Sequence, residues 1–191
     1  MRAECQISSS VVNGVRRLLI DEGRWQEIER ALLERDPDME DWLEDTGRRP
    51  YVSFAGHRRL LEAVGGDEGA PALRRLGHAR LSAAMDLGPV APILRCWVRQ
   101  YAHIPTALLH VAPYVWDVIL RHAGRLQIEE TGPHRMVYRA VDAPEALHSA
   151  TLWHALVEGY GTELLRRSGR DGEVRVQVDA RGFALVGTWD R

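Results

Sequence analysis

The sequence predicts an α+β protein in which a helical N-terminal layer packs on a four-stranded antiparallel sheet. Helical periodicity fills the chain from Ser8 to Ala123. From Gly124 to Trp189 the pattern changes to strand, strand, helix, strand, strand. No repeat, low-complexity tract or long linker interrupts the 191 residues. We therefore expect one domain over 1–191, with the helical layer at about 8–123 and the sheet-containing half at about 124–191.

Capping and breaking residues divide the helical layer into segments. We predict helices from Ser8 to Gly23, from Arg24 to the residue before Asp36, from Ser53 to Val64 and from Ala70 to Leu87. Between them, Pro37 disfavours α geometry in the residue before it, and the segment Pro37 to Asp45 is predicted to form a short acidic turn.

Two further helices are expected after Gly88, because proline is well tolerated in the first turn of a helix. The first begins near Pro89 and has an apolar stripe formed by Val90, Ile93, Leu94, Trp97 and Tyr101. The second begins near Pro105. Its apolar residues between Leu108 and Leu120 point in almost every direction, which is typical of a helix buried on most sides.

The last third of the chain contains two hairpin patterns separated by a helix. Strands are predicted near 125–131, 134–141, 173–179 and 183–189, with turns at Gly132-Pro133 and at Ala180-Arg-Gly182. Valines at 174, 176 and 178 alternate with polar residues, as in a half-buried strand. The segment from Glu145 to Arg167 is predicted as one long helix between the hairpins.

The composition excludes several classes of function. The formal net charge of -2 argues against a general nucleic-acid binder, which usually carries a basic excess. All 25 basic residues counted as Lys or Arg are arginines, so lysine nucleophiles and lysine Schiff bases are excluded. No hydrolase elbow, zinc-protease motif, P-loop or dinucleotide fingerprint is present.

The sequence also predicts where the protein works. The N-terminal residues lack the apolar core of a signal peptide, and no stretch reaches about 18 uncharged apolar residues. The two cysteines, Cys5 and Cys96, lie far apart and have no histidine at metal-ligand spacing. We therefore expect a reduced, cytoplasmic protein without a membrane span, a disulfide or a bound metal.

Three segments resemble a known family. They are Gly124-Arg-Leu-Gln-Ile-Glu-Glu, the run DAPEALHSATLWHALVEGYGTELLRRSG and the closing GEVRVQVDARGFALVGTW. They resemble the C-terminal half of 4-vinyl-reductase-type domains and of a myxobacterial paralogous family of unknown function. Both are similar in architecture to heme nitric oxide/oxygen-binding domains. The resemblance covers roughly residues 70 to 189 and implies a sensor-like fold with a heme-ligating histidine on the helix before the first strand.

Heme is the cofactor that this resemblance implies, but one motif departs from it. The gas-sensing domains carry Tyr-x-Ser-x-Arg after the first hairpin, and the arginine pairs with heme propionates. Here the corresponding stretch is Tyr138-Arg-Ala140-Val-Asp142, without the serine and the arginine. Heme bound in that manner is therefore disfavoured.

A ligand pocket is predicted between the helical layer and the sheet. The residues expected to line it combine apolar walls with a few polar tips: Trp97, His110, Tyr114, Trp116 and Tyr160. His110 begins a polar ridge that also has Tyr114, Asp117 and Arg121 at helical spacing. An alternative interpretation makes this ridge the solvent-facing edge of its helix.

Other polar residues and glycines admit both structural and functional interpretations. His154 and Glu158, four residues apart, are expected to form a surface ion pair rather than an acid–base pair. The interior glycines Gly159 and Gly161 indicate the close approach of another backbone or of a ligand, with packing against the sheet as the expected cause. His57 is expected at the core boundary with one hydrogen bond. The acidic segment at 34–45 is either a solvated face or a docking patch.

Three classes of function remain open. The first is a non-catalytic bacterial regulatory domain that binds a small, largely apolar ligand. The second is an interaction module that homodimerises or docks a protein partner through strand edges or through the acidic segment around Trp42. The third is an enzyme such as a tetrapyrrole vinyl reductase, for which fold resemblance alone gives little support.

Overall fold

The N-terminal half is a layer of helices, in agreement with the prediction. A computed structural model describes residues 3–87, 96, 98–100, 110 and 112–190. The layer contains β1 (Gln6–Ser8), α1 (Ser9–Asp21), α2 (Trp25–Arg35), α3 (Met39–Arg48), β2 (Tyr51–Ser53), α4 (Phe54–Gly65) and α5 (Ala70–Leu87). A short 3-10 turn at Gly66–Glu68 joins α4 to α5. The four helices predicted in this region are therefore confirmed.

The prediction of a short acidic turn over 37–45 is wrong, because most of this segment belongs to α3. Met39, Leu43 and Thr46 are buried, and their spacing of four and three places them on one helical face. Glu40 and Asp41 lie in the first turn and Arg48 in the last, which suits the helix dipole. The charges that made the segment look like a turn are thus on the exposed face of a helix.

The C-terminal half forms the predicted sheet. Its elements are α6 (Ala112–Ile119), β3 (Leu120–Arg121), β4 (Arg125–Thr131), β5 (Arg135–Val141), α7 (Glu145–His148), α8 (Thr151–Arg167), β6 (Gly172–Asp179) and β7 (Gly182–Trp189). β4 to β7 form one antiparallel sheet in the order β4-β5-β7-β6. The α+β class, the four strands and the two hairpins in one sheet are confirmed.

The predicted single helix from Glu145 to Arg167 is broken into α7 and α8. The Ser149 hydroxyl donates a hydrogen bond to the Glu145 carbonyl oxygen at 3.1 Å, and the Ser149 amide donates to the same carbonyl. A serine that bonds back in this way competes with the regular helix ladder. Ala150 then leaves helical geometry with φ -85° and ψ 63°, and α8 begins at Thr151.

A second, three-stranded sheet was not predicted. β1 pairs antiparallel with β2 on one side and with β3 on the other. Each strand has only two or three residues, too few to show an alternating pattern in the sequence. This sheet ties the start of the chain to the region just before β4.

The prediction that residues 108–120 form a helix buried on most sides is wrong for the part that the structure describes. On α6, Val115 is 45% exposed and Val118 is 65% exposed, whereas Trp116 is only 4% exposed. The helix predicted from Pro89 to Tyr101, with its apolar stripe, lies outside the described residues apart from a few positions near its end.

No helix among the described ranges is both long and apolar enough to cross a membrane.

Candidate functional site

Seven aromatic and imidazole rings meet between the helices and the sheet. This aromatic–histidine cluster consists of Phe54, His57, Trp116, His148, Trp153, His154 and Phe183. Phe183 of β7 has ring-centroid distances of 4.8 Å to His154, 5.9 Å to His148 and 6.0 Å to Trp116. Trp153 contacts Phe54 and Trp116 edge-on at 5.6 and 5.7 Å. Such tilted and edge-on contacts are the favoured aromatic geometries.

Local structure places each ring of the cluster. Ser53 caps α4 by accepting a hydrogen bond from the Gly56 amide, which begins the helix at Phe54. Trp116 of α6 donates its indole N–H to the Gly124 carbonyl oxygen at 3.3 Å. The break between α7 and α8 allows His148 and His154 to approach the same ring, that of Phe183, from two different helices.

The three histidines of the cluster have unsatisfied nitrogen atoms. His57 is 0% exposed, and neither ring nitrogen has a hydrogen-bond partner within the part of the chain that the structure describes. The Nε2 atoms of His148 and His154 are also buried without a partner there. Because an unsatisfied buried polar group costs about 1–3 kcal/mol, native proteins rarely keep several together. Within the described residues, His57 therefore lacks the one hydrogen bond that was expected for it.

Burial keeps two of these histidines neutral near neutral pH. Desolvation lowers the pKa of His57 to about 3. It also lowers the pKa of His154, although a hydrogen bond to the Leu147 backbone and the charge of Glu158 oppose this shift. Neutral imidazoles can accept as well as donate hydrogen bonds, so the cluster combines an apolar wall with several polar atoms.

A small cavity of about 70 Å³ lies beside the cluster. Its lining includes Leu61, Ser149, Leu152 and Trp153, with Arg58 also on its wall. Trp153 thus lines the cavity and also contacts Phe54 and Phe183. It is the residue that the cavity and the cluster share.

The residues predicted to line a pocket do not all lie together. Trp97 lies outside the described residues. His110 is exposed, and Tyr114 is 74% exposed on α6. Trp116 belongs to the aromatic–histidine cluster. The exposure of His110 and Tyr114 supports the interpretation of their ridge as a solvent-facing edge.

Tyr160, the last predicted pocket residue, lies elsewhere. It is half-buried on the side of α8 that faces α5, where Gly77 approaches its backbone amide. Burial raises the pKa of the Tyr160 hydroxyl to about 12, partly offset by the charge of Arg80. Tyr160 thus takes part in the helix–helix interface of α5 and α8.

Sequence reasoning identified part of the cluster. Phe54 and Trp153 lie at helical spacing with other apolar residues of their segments, a pattern that indicates a core position. No sequence pattern connects His148 and Phe183 with these residues. The proximity of His148 and Phe183 to the cluster depends on the break in the helix and on the order of the strands. The sequence did contain a signal for His154, because a histidine on an otherwise apolar helix face has few polar neighbours with which to form hydrogen bonds.

The expectation of a surface ion pair between His154 and Glu158 is wrong. His154 is 4% exposed and Glu158 is 6% exposed. Glu158 accepts hydrogen bonds from Arg74 at 2.5 Å and from the Val176 amide at 2.8 Å. Thr162, one turn further along α8, accepts from the Val174 amide at 2.9 Å. These two side chains cover the open edge of β6, which would otherwise expose unpaired amides.

The glycines of α8 provide close packing, as predicted. A β-carbon on Gly161 would lie 2.6 Å from Cγ2 of Val174 in β6, which confirms contact with the sheet. A β-carbon on Gly159 would overlap the Arg74 carbonyl oxygen and lie 3.0 Å from the Gly77 Cα atom. The neighbour of Gly159 is therefore α5 rather than the sheet.

A buried carboxylate extends the interface of α5 and α8 beyond these glycines. Glu163 is 2% exposed and accepts hydrogen bonds from Ser82 at 2.6 Å and from Arg166 and Arg167. Burial by itself would raise the pKa of Glu163, but these donors lower it to about 2. The carboxylate therefore stays ionised and satisfied, and it serves to join the two helices.

The described residues do not fit heme in the manner of the gas-sensing domains. The buried Tyr138 donates its hydroxyl to the Met136 sulfur at 2.9 Å instead of facing a propionate. Ala140 and Asp142 occupy the positions of the missing serine and arginine, and an aspartate would repel a propionate. His110 is exposed rather than facing a pocket. Within the described ranges there is also no group of three or more His, Cys, Asp or Glu that could hold a metal ion.

Comparison with known proteins gives a likeness of fold. No family model matches the chain, and no curated protein matches it. Two crystal structures of a Fe(II) unliganded H-NOX protein from K. algicida, one of them a point mutant, share the fold. The mutant has a TM-score of 0.60 at 14% identity, and the other structure a TM-score of 0.57 at 12% identity. In both comparisons the match covers 97% of this chain and 97% of the other.

Proposed function

We propose that this chain is a non-catalytic bacterial regulatory domain that binds a small, largely apolar ligand at the aromatic–histidine cluster, without heme. The observation that carries the proposal is a set of imidazole nitrogens that have no partner among the described residues, at an apolar interface between helices and sheet. Ligand sites in proteins have this composition, with mostly apolar walls and a few placed polar groups. The H-NOX-like fold and the resemblance to 4-vinyl-reductase-type domains support a sensor-like role in the cytoplasm.

The cavity next to Trp153 supports the location. Trp153 lines the cavity of about 70 Å³ and also contacts Phe183 of the cluster. A rotation of the Trp153 side chain would connect the cavity with the cluster and expose the cluster to a ligand. Binding at this position would alter the contact between α4, α6 and β7, because each contributes a ring that touches Trp153.

The first test is mass spectrometry of the denatured, freshly purified protein, which detects a small molecule that co-purifies with it. The second is a thermal shift assay with fatty acids, porphyrins and quinones. A ligand at a hundredfold excess over its dissociation constant stabilises the folded state by about 2.7 kcal/mol. In a protein of this size, that gain raises Tm by roughly 5–10 °C.

Two matched tryptophan variants locate the binding site. Trp116 and Trp189 are 4% and 6% exposed, and each donates its indole N–H to a backbone carbonyl. Trp116 belongs to the cluster, whereas Trp189 bonds to Pro133 at the turn of the first hairpin. We expect Trp116→Phe to reduce the ligand-induced shift and Trp189→Phe to retain it. Equal shifts in both variants would place the ligand elsewhere.

A second candidate function is an interaction module that homodimerises or docks a partner. Tyr114 and Val118, one turn apart on α6, are 74% and 65% exposed, and such an apolar surface is typical of a contact site. β4 forms an edge of the sheet, whereas the β6 edge is covered by α8. Light scattering after gel filtration tests this candidate. A dimer that Val118→Glu dissociates, in a protein that carries no ligand, would favour it over ligand binding.

A further inference from the structure

The cavity beside the aromatic–histidine cluster has a polar wall. Arg58 and Glu62 of α4 line it, together with Ser149 and Thr151 near the break between α7 and α8. The Arg58 guanidinium donates to the Ser149 hydroxyl at 3.5 Å, which is long for a hydrogen bond and therefore weak. This contact places a positive charge on the wall of the cavity, between α4 and the helix break.

The charge of Arg58 is not neutralised by the described part of the chain. There, the long contact with Ser149 is the one interaction that its guanidinium makes. Glu62 lies one turn further along α4, yet the described structure has no ion pair between the two side chains. An arginine carries five N–H donors in a planar fork that matches the oxygens of a carboxylate or a phosphate. Most of these donors are therefore available to an acceptor in the cavity.

The size and the lining of the cavity limit what it can hold. A volume of about 70 Å³ corresponds to roughly five water molecules, at about 10–15 Å³ for each. An ion with about five non-hydrogen atoms therefore fits. The rest of the wall is mostly apolar and includes Leu61, Leu152 and Trp153. Since such groups lower the local dielectric, they strengthen the attraction between the guanidinium and an anion.

We propose that this cavity binds a small oxyanion, a carboxylate or a phosphate, with the Arg58 guanidinium as its main partner. Two oxygens of the anion would accept from the guanidinium. The Thr151 hydroxyl, which has no hydrogen bond within the described residues, would donate to one of them. Glu62 would oppose binding, because its carboxylate lies on the same wall. The site is separate from the aromatic–histidine cluster and does not depend on the ligand proposed there.

Titration of the unmodified protein with sodium acetate and with sodium phosphate tests the proposal. Sodium chloride at the same ionic strength is the control for general salt effects. In ¹⁵N-labelled protein, the Arg58 Nε–H resonance and the Thr151 amide should shift with acetate, with phosphate or with both, and the shifts should saturate. The probe that binds more tightly identifies whether the site prefers a carboxylate or a phosphate. If neither probe produces a saturable shift, the proposal is overturned.

Three variants then locate the anion. Arg58→Gln removes the charge and should weaken binding about tenfold or more, the effect of losing a charge-assisted hydrogen bond. Glu62→Gln should tighten it about twofold to fivefold, because a like charge is removed. Arg59→Gln is the matched control, since Arg59 is paired with Asp36 and does not line the cavity. Equal affinities in Arg58→Gln and Arg59→Gln would place the anion elsewhere and refute the site. The wild-type titration decides the question even if Arg58→Gln does not fold.

Discussion

Replacement of Gly159 by alanine tests the crossing of α5 and α8. In an exposed helix, this change stabilises a protein by about 1 kcal/mol, because glycine has the greater freedom in the unfolded chain. Here the added β-carbon would overlap the Arg74 carbonyl oxygen and lie 3.0 Å from the Gly77 Cα atom. Both neighbours are backbone atoms, so no side-chain rotation relieves the overlap, and the helices must separate. Overpacking costs about 1–3 kcal/mol, and an overlap with backbone atoms belongs to the upper part of that range, so about 1–2 kcal/mol remains after the propensity gain is subtracted.

We therefore expect Gly159→Ala to lower the free energy of unfolding by about 1–2 kcal/mol, measured by urea denaturation. In a protein of this size, the same change lowers Tm by roughly 2–8 °C. Gly47→Ala on α3 is the matched control, since a β-carbon there meets nothing within 4 Å. That variant should be unchanged or slightly more stable. If Gly159→Ala is as stable as Gly47→Ala, α5 and α8 do not cross as described.

Three further predictions concern buried ionisable groups. In urea denaturation, Glu158→Gln should lower the free energy of unfolding less than Glu158→Ala, because a glutamine oxygen still accepts a hydrogen bond from the Val176 amide. Equal losses would contradict the role of Glu158 as a cover for the β6 edge. His57, with a folded pKa of about 3, stays neutral while the unfolded chain takes up a proton below pH 6.5. Stability should therefore fall between pH 6.5 and 3 by up to about 1.4 kcal/mol per pH unit, and His57→Leu should flatten that slope. Burial and the charge of Glu4 raise the pKa of the Cys5 thiol to about 11. Iodoacetamide at pH 8 should therefore label the exposed Cys96 well before Cys5, and peptide mass mapping would show the order.

The elements that the sequence predicted well have strong local signals. Each hairpin of the main sheet has a glycine-containing turn, and the strand at 173–179 alternates valine with polar residues; the structure has all four strands at nearly the predicted bounds. The helix Ala70–Leu87 was predicted at both ends. In contrast, α3 was missed because its charges dominate the composition, although Met39, Leu43 and Thr46 have helical spacing. The break between Ser149 and Thr151 comes with a side-chain hydrogen bond of Ser149 and a non-helical Ala150, neither of which spacing alone reveals.

The site was predicted less completely than the fold. A sequence pattern shows which face of a helix is apolar, but it does not show which helix or sheet packs against that face. His154 and Glu158 have the spacing of an exposed ion pair, and only the covering of the β6 edge by α8 shows why both are buried. Trp116 was expected at a pocket, but its ring neighbours Trp153 and Phe183 are 37 and 67 positions further along the chain.

The sequence by itself determined the α+β class, the order of the elements and the absence of lysine chemistry, because periodicity, turn residues and composition are local properties. Only the tertiary structure decided that three histidines and four aromatic rings converge between helices and sheet. It also decided which nitrogen atoms lack partners. Burial and hydrogen bonding depend on contacts between distant segments, and such contacts are fixed by how the helices pack on the sheet.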